Sequence, residues 1–183
     1  MQGLTLCLLF GIKQFTRNYM EATQFYEQLS NQLSLLPKNK LINFGLNICE
    51  RLLPDYIDFY HEFNWGDPEI LRKAIQYVKD SPIDAVNEEK VKQLLADLEA
   101  VLPDTEEFTD PLGSYGLNAA CAVFELLEYL IDPEQDHLLN ISSTITDTID
   151  FKLSEQDDDL SEEEIANHPE LLKEWLYQLE ISR

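Results

Sequence analysis

Glycine and proline are scarce in this chain, which has only six glycines and eight prolines among its 183 residues. An all-β fold needs many tight turns, and such turns depend on these two residue types. The glycines are also scattered, so no glycine-rich loop is available to bind a phosphate group, and no Gly-x-Ser-x-Gly elbow indicates a serine hydrolase. The shortage argues against a turn-rich β fold, and we expect no cofactor.

Cysteine and histidine are rarer still, with three residues of each. Cys7, Cys49 and Cys121 lie among apolar neighbours without CxxC spacing, and their number is odd. This pattern predicts no disulfide framework and is typical of buried, reduced thiols in an intracellular protein. We therefore expect a cytoplasmic location, and three histidines make a nucleophilic triad improbable on composition alone.

Basic residues are outnumbered, because 13 Lys and Arg stand against 35 Asp and Glu and give a formal net charge of −22. Phosphates of nucleic acids and anionic membrane surfaces repel such a chain, so neither is an expected partner. The charge permits a basic protein partner, although its ordinary effect is to keep a protein soluble. It identifies neither that partner nor the oligomeric state.

Long apolar runs are missing as well. Residues 4–12, LTLCLLFGI, form a mainly apolar run of nine residues, which is far too short to cross a bilayer. The run has no basic residue before it and no small-residue cleavage site after it, so a signal peptide is a poor match. We interpret residues 1–19 as an N-terminal extension or an over-extended start before Met20, and residues 20–183 as a single helical domain.

Apolar residues recur with helical spacing through most of the chain. Asp67 followed by Pro68 is typical of a helix start, as is Asn87, and Ser161 begins a capping-box pattern. Pro54 is expected to end one helix or to begin the next. The pattern predicts an all-α, single-domain bundle of about eight helices. In the last of them, five apolar residues are predicted to face the core: Leu171, Leu172, Trp175, Leu176 and Leu179.

Residues 140–153, NISSTITDTIDFKL, carry two competing patterns. The alternation of apolar and polar residues and the threonine content favour a strand. A helical three-four spacing is also present in five apolar residues, Leu138, Ile141, Ile145, Ile149 and Leu153. No other segment offers a strand partner. We therefore predict a helix here.

The bundle is predicted to form around a central helix at residues 116–131, GLNAACAVFELLEYLI, which is apolar on most sides and follows a loop at 104–114. Glu125 lies in the middle of this helix. A buried carboxylate must find a cation or a hydroxyl group or else stay protonated, and Arg51 and Arg72 are the expected partners. Structural ion pairing is the plain interpretation, and the alternative is that Glu125 faces outward through a cleft.

Four polar residues of one segment suggest a metal site. Asp55, Asp58 and Glu62 share a helical face at intervals of three and four residues, and His61 is adjacent. Oxygen ligands at that spacing suit a divalent cation. No second helix carries matching ligands, so a solvated acidic face is the simpler interpretation.

Two further features of the same region suggest chemistry or binding. Cys49 beside Arg51 could be an activated thiolate, since a nearby cation lowers a thiol pKa, but no base is close in sequence and a packed thiol is the plain alternative. Tyr56, Tyr60 and Trp65 are candidates for an exposed aromatic patch that binds a protein partner. We favour a protein-binding or accessory module, and the alternative is a small metal-binding protein or enzyme that uses Asp55 to Glu62 or Glu125.

Six segments together resemble the bacterial domain-of-unknown-function family 416, the YjaG-like proteins. They occur in the same order and spacing over roughly residues 29–182: ICERLLPDYIDFY at 48–60, WGDPEILRKAI at 65–75, LEAVLPDTEEF at 98–108, YGLNAACAVFELLEYL at 115–130, STITDTIDFKL at 143–153 and LSEEEIANHPELLKEWLYQLEI at 160–181. The resemblance implies an all-helical intracellular protein, a helix at 140–153 and the Met20 start. It implies no established activity and no catalytic residues.

Overall fold

The computed structural model describes residues 21–82, 85–157 and 159–183, and the predictions for residues 1–19, Cys7 and the Met20 start lie outside these ranges. Within them all regular secondary structure is helical, which confirms the predicted all-α class. Seven helices have 12 to 26 residues, and α7 has five. The helices are α1 (Ala22–Leu33), α2 (Lys38–Phe63), α3 (Pro68–Asp80), α4 (Glu88–Glu99), α5 (Pro111–Ile131), α6 (Gln135–Gln156), α7 (Glu162–Ala166) and α8 (Pro169–Ile181).

The predicted central helix is α5, which packs against α2, α3, α4 and α6. It begins at Pro111 rather than at 116, so the predicted loop at 104–114 was too long. Asp110 caps the helix, because its side chain accepts a hydrogen bond from the amide of Leu112 at 2.9 Å. This is the same Asp-Pro start that correctly marked α3. Despite the apolar character of α5, no described helix combines the length and hydropathy that a membrane crossing requires.

Pro54 lies inside α2, and the expectation that it ends one helix or begins another was wrong. Proline has no N–H, so it removes one hydrogen bond to the carbonyl four residues earlier. Pro54 is on the exposed side of the helix, where water can bind that carbonyl instead. The helix therefore continues through Pro54 to Phe63.

The predicted helix at 140–153 is confirmed, and it forms most of α6. Three buried threonines bind carbonyls of the preceding turn: Thr144 to Ile141 at 2.8 Å, Thr146 to Ser142 at 3.0 Å and Thr148 to Thr144 at 2.7 Å. These bonds satisfy the hydroxyl groups within the helix itself. They explain how a segment with strand-like composition can be buried as a helix.

Glycine permits close contact between α2 and α5. A Cβ atom on Gly116 would lie 2.8 Å from Cγ and 3.0 Å from Cβ of Phe59. At the other end of the contact, a Cβ on Gly45 would lie 2.8 Å from Cδ1 of Leu126. Between them, the small residues of α5 are fully buried: Ala119, Ala120 and Ala122.

We expect Gly116→Ala to lower the free energy of unfolding by about 1–3 kcal/mol, because overpacking against the root of the Phe59 side chain cannot be relieved by a simple rotation. Gly45→Ala should change it by less than about 1 kcal/mol, since the ends of leucine and isoleucine side chains can move and alanine favours a helix. Urea denaturation of both variants measures the difference. Equal losses in the two variants would contradict this account of the contact.

Candidate functional site

The predicted aromatic patch is largely internal. Tyr56 is fully buried, and its hydroxyl group donates a hydrogen bond to the carbonyl of Val101 at 2.7 Å. Burial raises the pKa of Tyr56 to about 12. Trp65 is half-buried and packs on Phe108 with a ring-centroid distance of 5.2 Å. Tyr60 is also half-buried but lies outside this aromatic cluster. The expectation of an exposed patch was wrong, because Tyr56 shares the helical face that α5 covers.

Three predicted candidates meet elsewhere, in a shallow hollow of about 240 Å³ at the junction of α2 and α3. Tyr60, His61 and Arg72 line it together with Asp67 and Glu69. Arg72 forms an ion pair with Glu69 on its own helix, and both side chains are about half exposed. An exposed pair of this kind contributes little to stability. The hollow brings the three candidates together, but the guanidinium of Arg72 is already paired with Glu69.

The candidate metal ligands do not converge. Asp55 is paired with Lys152, whose ammonium group lies 2.5 Å from Oδ1 of the carboxylate. The other three residues, Asp58, His61 and Glu62, are exposed on the outer side of α2. Among the described residues, no group of three or more His, Cys, Asp or Glu side chains is arranged to hold a metal ion. The metal-binding alternative is therefore not favoured.

Glu125 is partly exposed and has partners other than those expected. Its carboxylate lies 2.6 Å from Nδ1 of His137 and accepts a hydrogen bond from Asn140 at 3.2 Å. Arg51 and Arg72 are bound to other carboxylates, so the predicted pairing was wrong. The reason is topological, since α5 and α6 form an antiparallel hairpin that places the start of α6 beside Glu125. The sequence signal for this hairpin is Asp132-Pro133, which directly follows the end of α5.

The two described thiols are poor nucleophiles. Burial raises the pKa of the fully buried Cys49 thiol far above its usual range. For Cys121, burial and then the charge of Glu125, one turn further along α5, raise the thiol pKa. A thiolate is the reactive form of cysteine. Both positions therefore match packed thiols better than catalytic ones.

A largely buried polar network joins α2, α6 and α8, and no pattern in the sequence predicted it. Arg51 donates two hydrogen bonds to Glu174, one of them at 2.9 Å. Gln178 then donates to Glu174 at 3.1 Å and accepts from Ser142 at 2.5 Å. Glu174 is 5% exposed, and Gln178 and Ser142 are fully buried. The hydrogen bond to Glu174 raises the pKa of Arg51, which keeps the guanidinium charged.

This network lies at the base of an open cleft of about 360 Å³ between the same helices. The guanidinium of Arg51 is 4.7 Å from the centre of the Tyr177 ring, a cation–π distance. Asn47 donates to the Tyr177 hydroxyl at 3.0 Å. The remaining lining residues are Ile149, Glu170 and Lys173. The guanidinium of Arg51 is thus engaged by both Glu174 and Tyr177 of α8. It holds α8 in place and is not a free cation for a ligand.

The outward side of α8 carries an apolar groove of about 370 Å³, which we name the α8 face. Its six residues are Pro169, Leu172, Lys173, Leu176, Tyr177 and Glu180. Leu176 is 58% exposed, although the sequence pattern predicted it to face the core. Glu174 and Gln178 take the inward positions because they complete the polar network, and Leu176 is left outside.

Replacing Arg51 with Met should destabilise the fold by about 2–4 kcal/mol, because the buried carboxylate of Glu174 then loses its cation. Glu174→Gln should cost less, about 1–2 kcal/mol, since Arg51 keeps a third of its side chain in water. Chemical denaturation of both variants tests this order. A larger loss for Glu174→Gln would contradict the view that an unpaired buried carboxylate is the main cost.

The thiol assignments are tested on a Cys7→Ser variant, which leaves Cys49 and Cys121. We expect both thiols to react with a disulfide reagent at pH 7.5 far more slowly than a free cysteine does, because the thiolate is disfavoured at each. Both should react at once in guanidinium chloride. One thiol that reacts rapidly in the native protein would restore it as a candidate nucleophile.

Comparisons with known proteins place these features in a family. The sequence model described as "Protein of unknown function (DUF416)" matches residues 28–183. The uncharacterized protein YjaG of Escherichia coli (strain K12) is 28% identical over 147 residues, which cover 78% of this chain and 74% of that protein. Its counterpart in Salmonella typhimurium is 26% identical over the same length.

A solved structure has the same fold. The crystal structure of a DUF416 family protein from Shewanella baltica OS155, at 1.91 Å resolution, superposes with a TM-score of 0.72 and 22% identity. The match covers 86% of this chain and 82% of that one. With the family model spanning all eight described helices except the first part of α1, the chain belongs to the DUF416 family, whose function is unknown.

Proposed function

We propose that this protein is a non-catalytic accessory module of the cytoplasm that binds another protein through the α8 face. The observation that carries the proposal is the exposure of Leu176, 58%, at the centre of an apolar groove. Exposure of a large apolar side chain to water is unfavourable. Covering it with a partner therefore lowers the free energy of the complex. The two free thiols among the described residues, Cys49 and Cys121, agree with a cytoplasmic location.

The geometry of the α8 face suits binding because the helix is held rigidly. Arg51 and Asn47 fix the middle of α8 through Glu174 and Tyr177. Ser182, just past its end, donates a hydrogen bond to Gln32 of α1 at 2.6 Å. A surface that is ordered before binding loses little conformational entropy when the partner arrives.

The composition of the α8 face also resembles a protein interface. Leucine side chains and an aromatic ring form its centre, while Lys173 and Glu180 supply charge at its edge. An apolar centre with a polar rim is the usual arrangement at protein–protein contacts. Exposed leucines elsewhere lack this setting, because Leu35 lies alone between α1 and α2 with 84% exposure.

The competing enzyme or metal-binding function has less support. The carboxylate of Asp55 is neutralised by Lys152, and Glu125 is paired with His137. Burial raises the pKa of both described thiols, which opposes nucleophilic chemistry. Two of the carboxylates of that hypothesis, Asp55 and Glu125, are thus engaged in structural contacts, and the remaining candidates Asp58, His61 and Glu62 do not converge on a site.

Amine-reactive cross-linking in cells at native expression level tests the proposal, since Lys173 lies within the α8 face. We expect one defined protein to be cross-linked to Lys173 and to be lost in Leu176→Glu. The matched control is Leu35→Glu, which adds the same charge at another exposed leucine and should retain the cross-link. Retention in both variants, or loss in both, would refute binding through the α8 face.

A further inference from the structure

We infer that the occupant of the α8 face is the α8 face of a second copy of this chain, bound antiparallel about a two-fold axis between Leu176 and Tyr177. This inference rests on the proposed function and names its partner. A two-fold contact requires a surface that is complementary to itself. The sequence and exposure of α8 meet that requirement in three respects.

The exposed residues form one straight stripe. Pro169, Lys173, Leu176 and Glu180 follow each other at intervals of four, three and four residues, which is the spacing of one helical face. Leu172 borders the stripe and is partly exposed. Two such stripes placed together bring apolar side chains to the centre, with Leu176 of each copy against Leu176 of the other.

The stripe carries two charged residues of opposite sign, Lys173 and Glu180, on either side of Leu176. Among the described residues, neither the Lys173 nor the Glu180 side chain forms an ion pair or hydrogen bond. They cannot pair with each other within one helix, because seven residues separate them by about 10 Å along the axis. Both ammonium and carboxylate are therefore available to a second molecule.

Antiparallel packing matches these charges. Lys173 lies three positions before Leu176, and Glu180 lies three positions after Tyr177. A two-fold axis between the central residues therefore places Lys173 of each copy level with Glu180 of the other. The symmetry forms one ion pair on each side of the leucine contact, two in all. It also sets the two helix dipoles antiparallel, which is the favourable arrangement. A parallel arrangement would instead place like charges side by side.

The net charge opposes association and gives it a distinctive salt dependence. Each copy carries −22, so two copies repel each other strongly at low ionic strength. Screening shortens the range of this repulsion from about 30 Å in 10 mM salt to about 8 Å in 150 mM salt. The exposed ion pairs weaken over the same range, but they contribute much less than the repulsion between whole molecules. The dimer should therefore be tighter at 150 mM salt than at 10 mM.

Sedimentation velocity of the full chain at 150 mM NaCl tests the inference, over loading concentrations from about 1 to 200 µM. We expect a monomer–dimer equilibrium in which Lys173→Glu and Glu180→Lys each raise Kd at least about tenfold. The double variant Lys173→Glu/Glu180→Lys should return Kd to within about threefold of the wild-type value, because the swapped charges are again opposite. Circular dichroism checks that every variant is folded.

Glu180→Lys separates a specific contact from general electrostatics. This variant makes the chain less negative, so general repulsion falls, and a non-specific association would become tighter. Weaker dimerisation of Glu180→Lys therefore supports the paired geometry. Leu176→Glu should abolish the dimer, and Leu35→Glu should leave it unchanged.

Three outcomes would overturn the inference. The first is a monomer at every concentration, and the second is a dimer that none of the α8 variants affects. The third is a dimer that Leu176→Glu disrupts but the charge swap does not restore, which would exclude the antiparallel register. If the chain is monomeric while Lys173 still cross-links to a different protein, the self-association fails and the proposed function stands. A monomeric chain whose Lys173 cross-links to no protein would refute both the self-association and the proposed function.

Discussion

The close packing of α2 against α5 is the contact on which the rest of the structure depends. Gly116 lets the Phe59 side chain lie directly on the backbone of α5, and Gly45 makes room for Leu126 at the other end. Dispersion and burial gains require contact at van der Waals distance, so a bulkier residue at Gly116 would push α2 and α5 apart. The remaining long helices pack around this pair, and α3, α4 and α6 each contact α5 directly.

A second, polar constraint positions α8. Trp175 stacks on Phe25 with a centroid distance of 5.2 Å, but the orientation of the helix follows from the pairing of Glu174 with Arg51. A buried carboxylate must keep its cation, because an unpaired charge in the interior is very costly. This requirement turns Glu174 inward and Leu176 outward, so the electrostatics of the cleft and the exposed apolar groove have one cause.

Local signals in the sequence identified most helices but not all of their ends. Asp67 and Asn87 accept hydrogen bonds from the first turns of their helices, as their residue types predicted. Pro54 misled the prediction because a proline on the exposed side of a helix breaks only one hydrogen bond. The start of α5 was missed although Asp110 carries the same signal as Asp67, since the turn formers and acidic residues around it suggested a loop. Such errors concern boundaries, where local preferences are weakest.

The sequence by itself determined the helical class, the central position of α5 and the helical state of α6, because capping and periodicity are properties of neighbouring residues. Only the tertiary structure decided the partners of the polar side chains: His137 for Glu125, Glu174 for Arg51 and Lys152 for Asp55. It also decided that Tyr56 is buried and that Leu176 is exposed. The physical reason is that periodicity defines which residues share a helical face, whereas the neighbour that covers this face is set by the packing of helices distant in the chain.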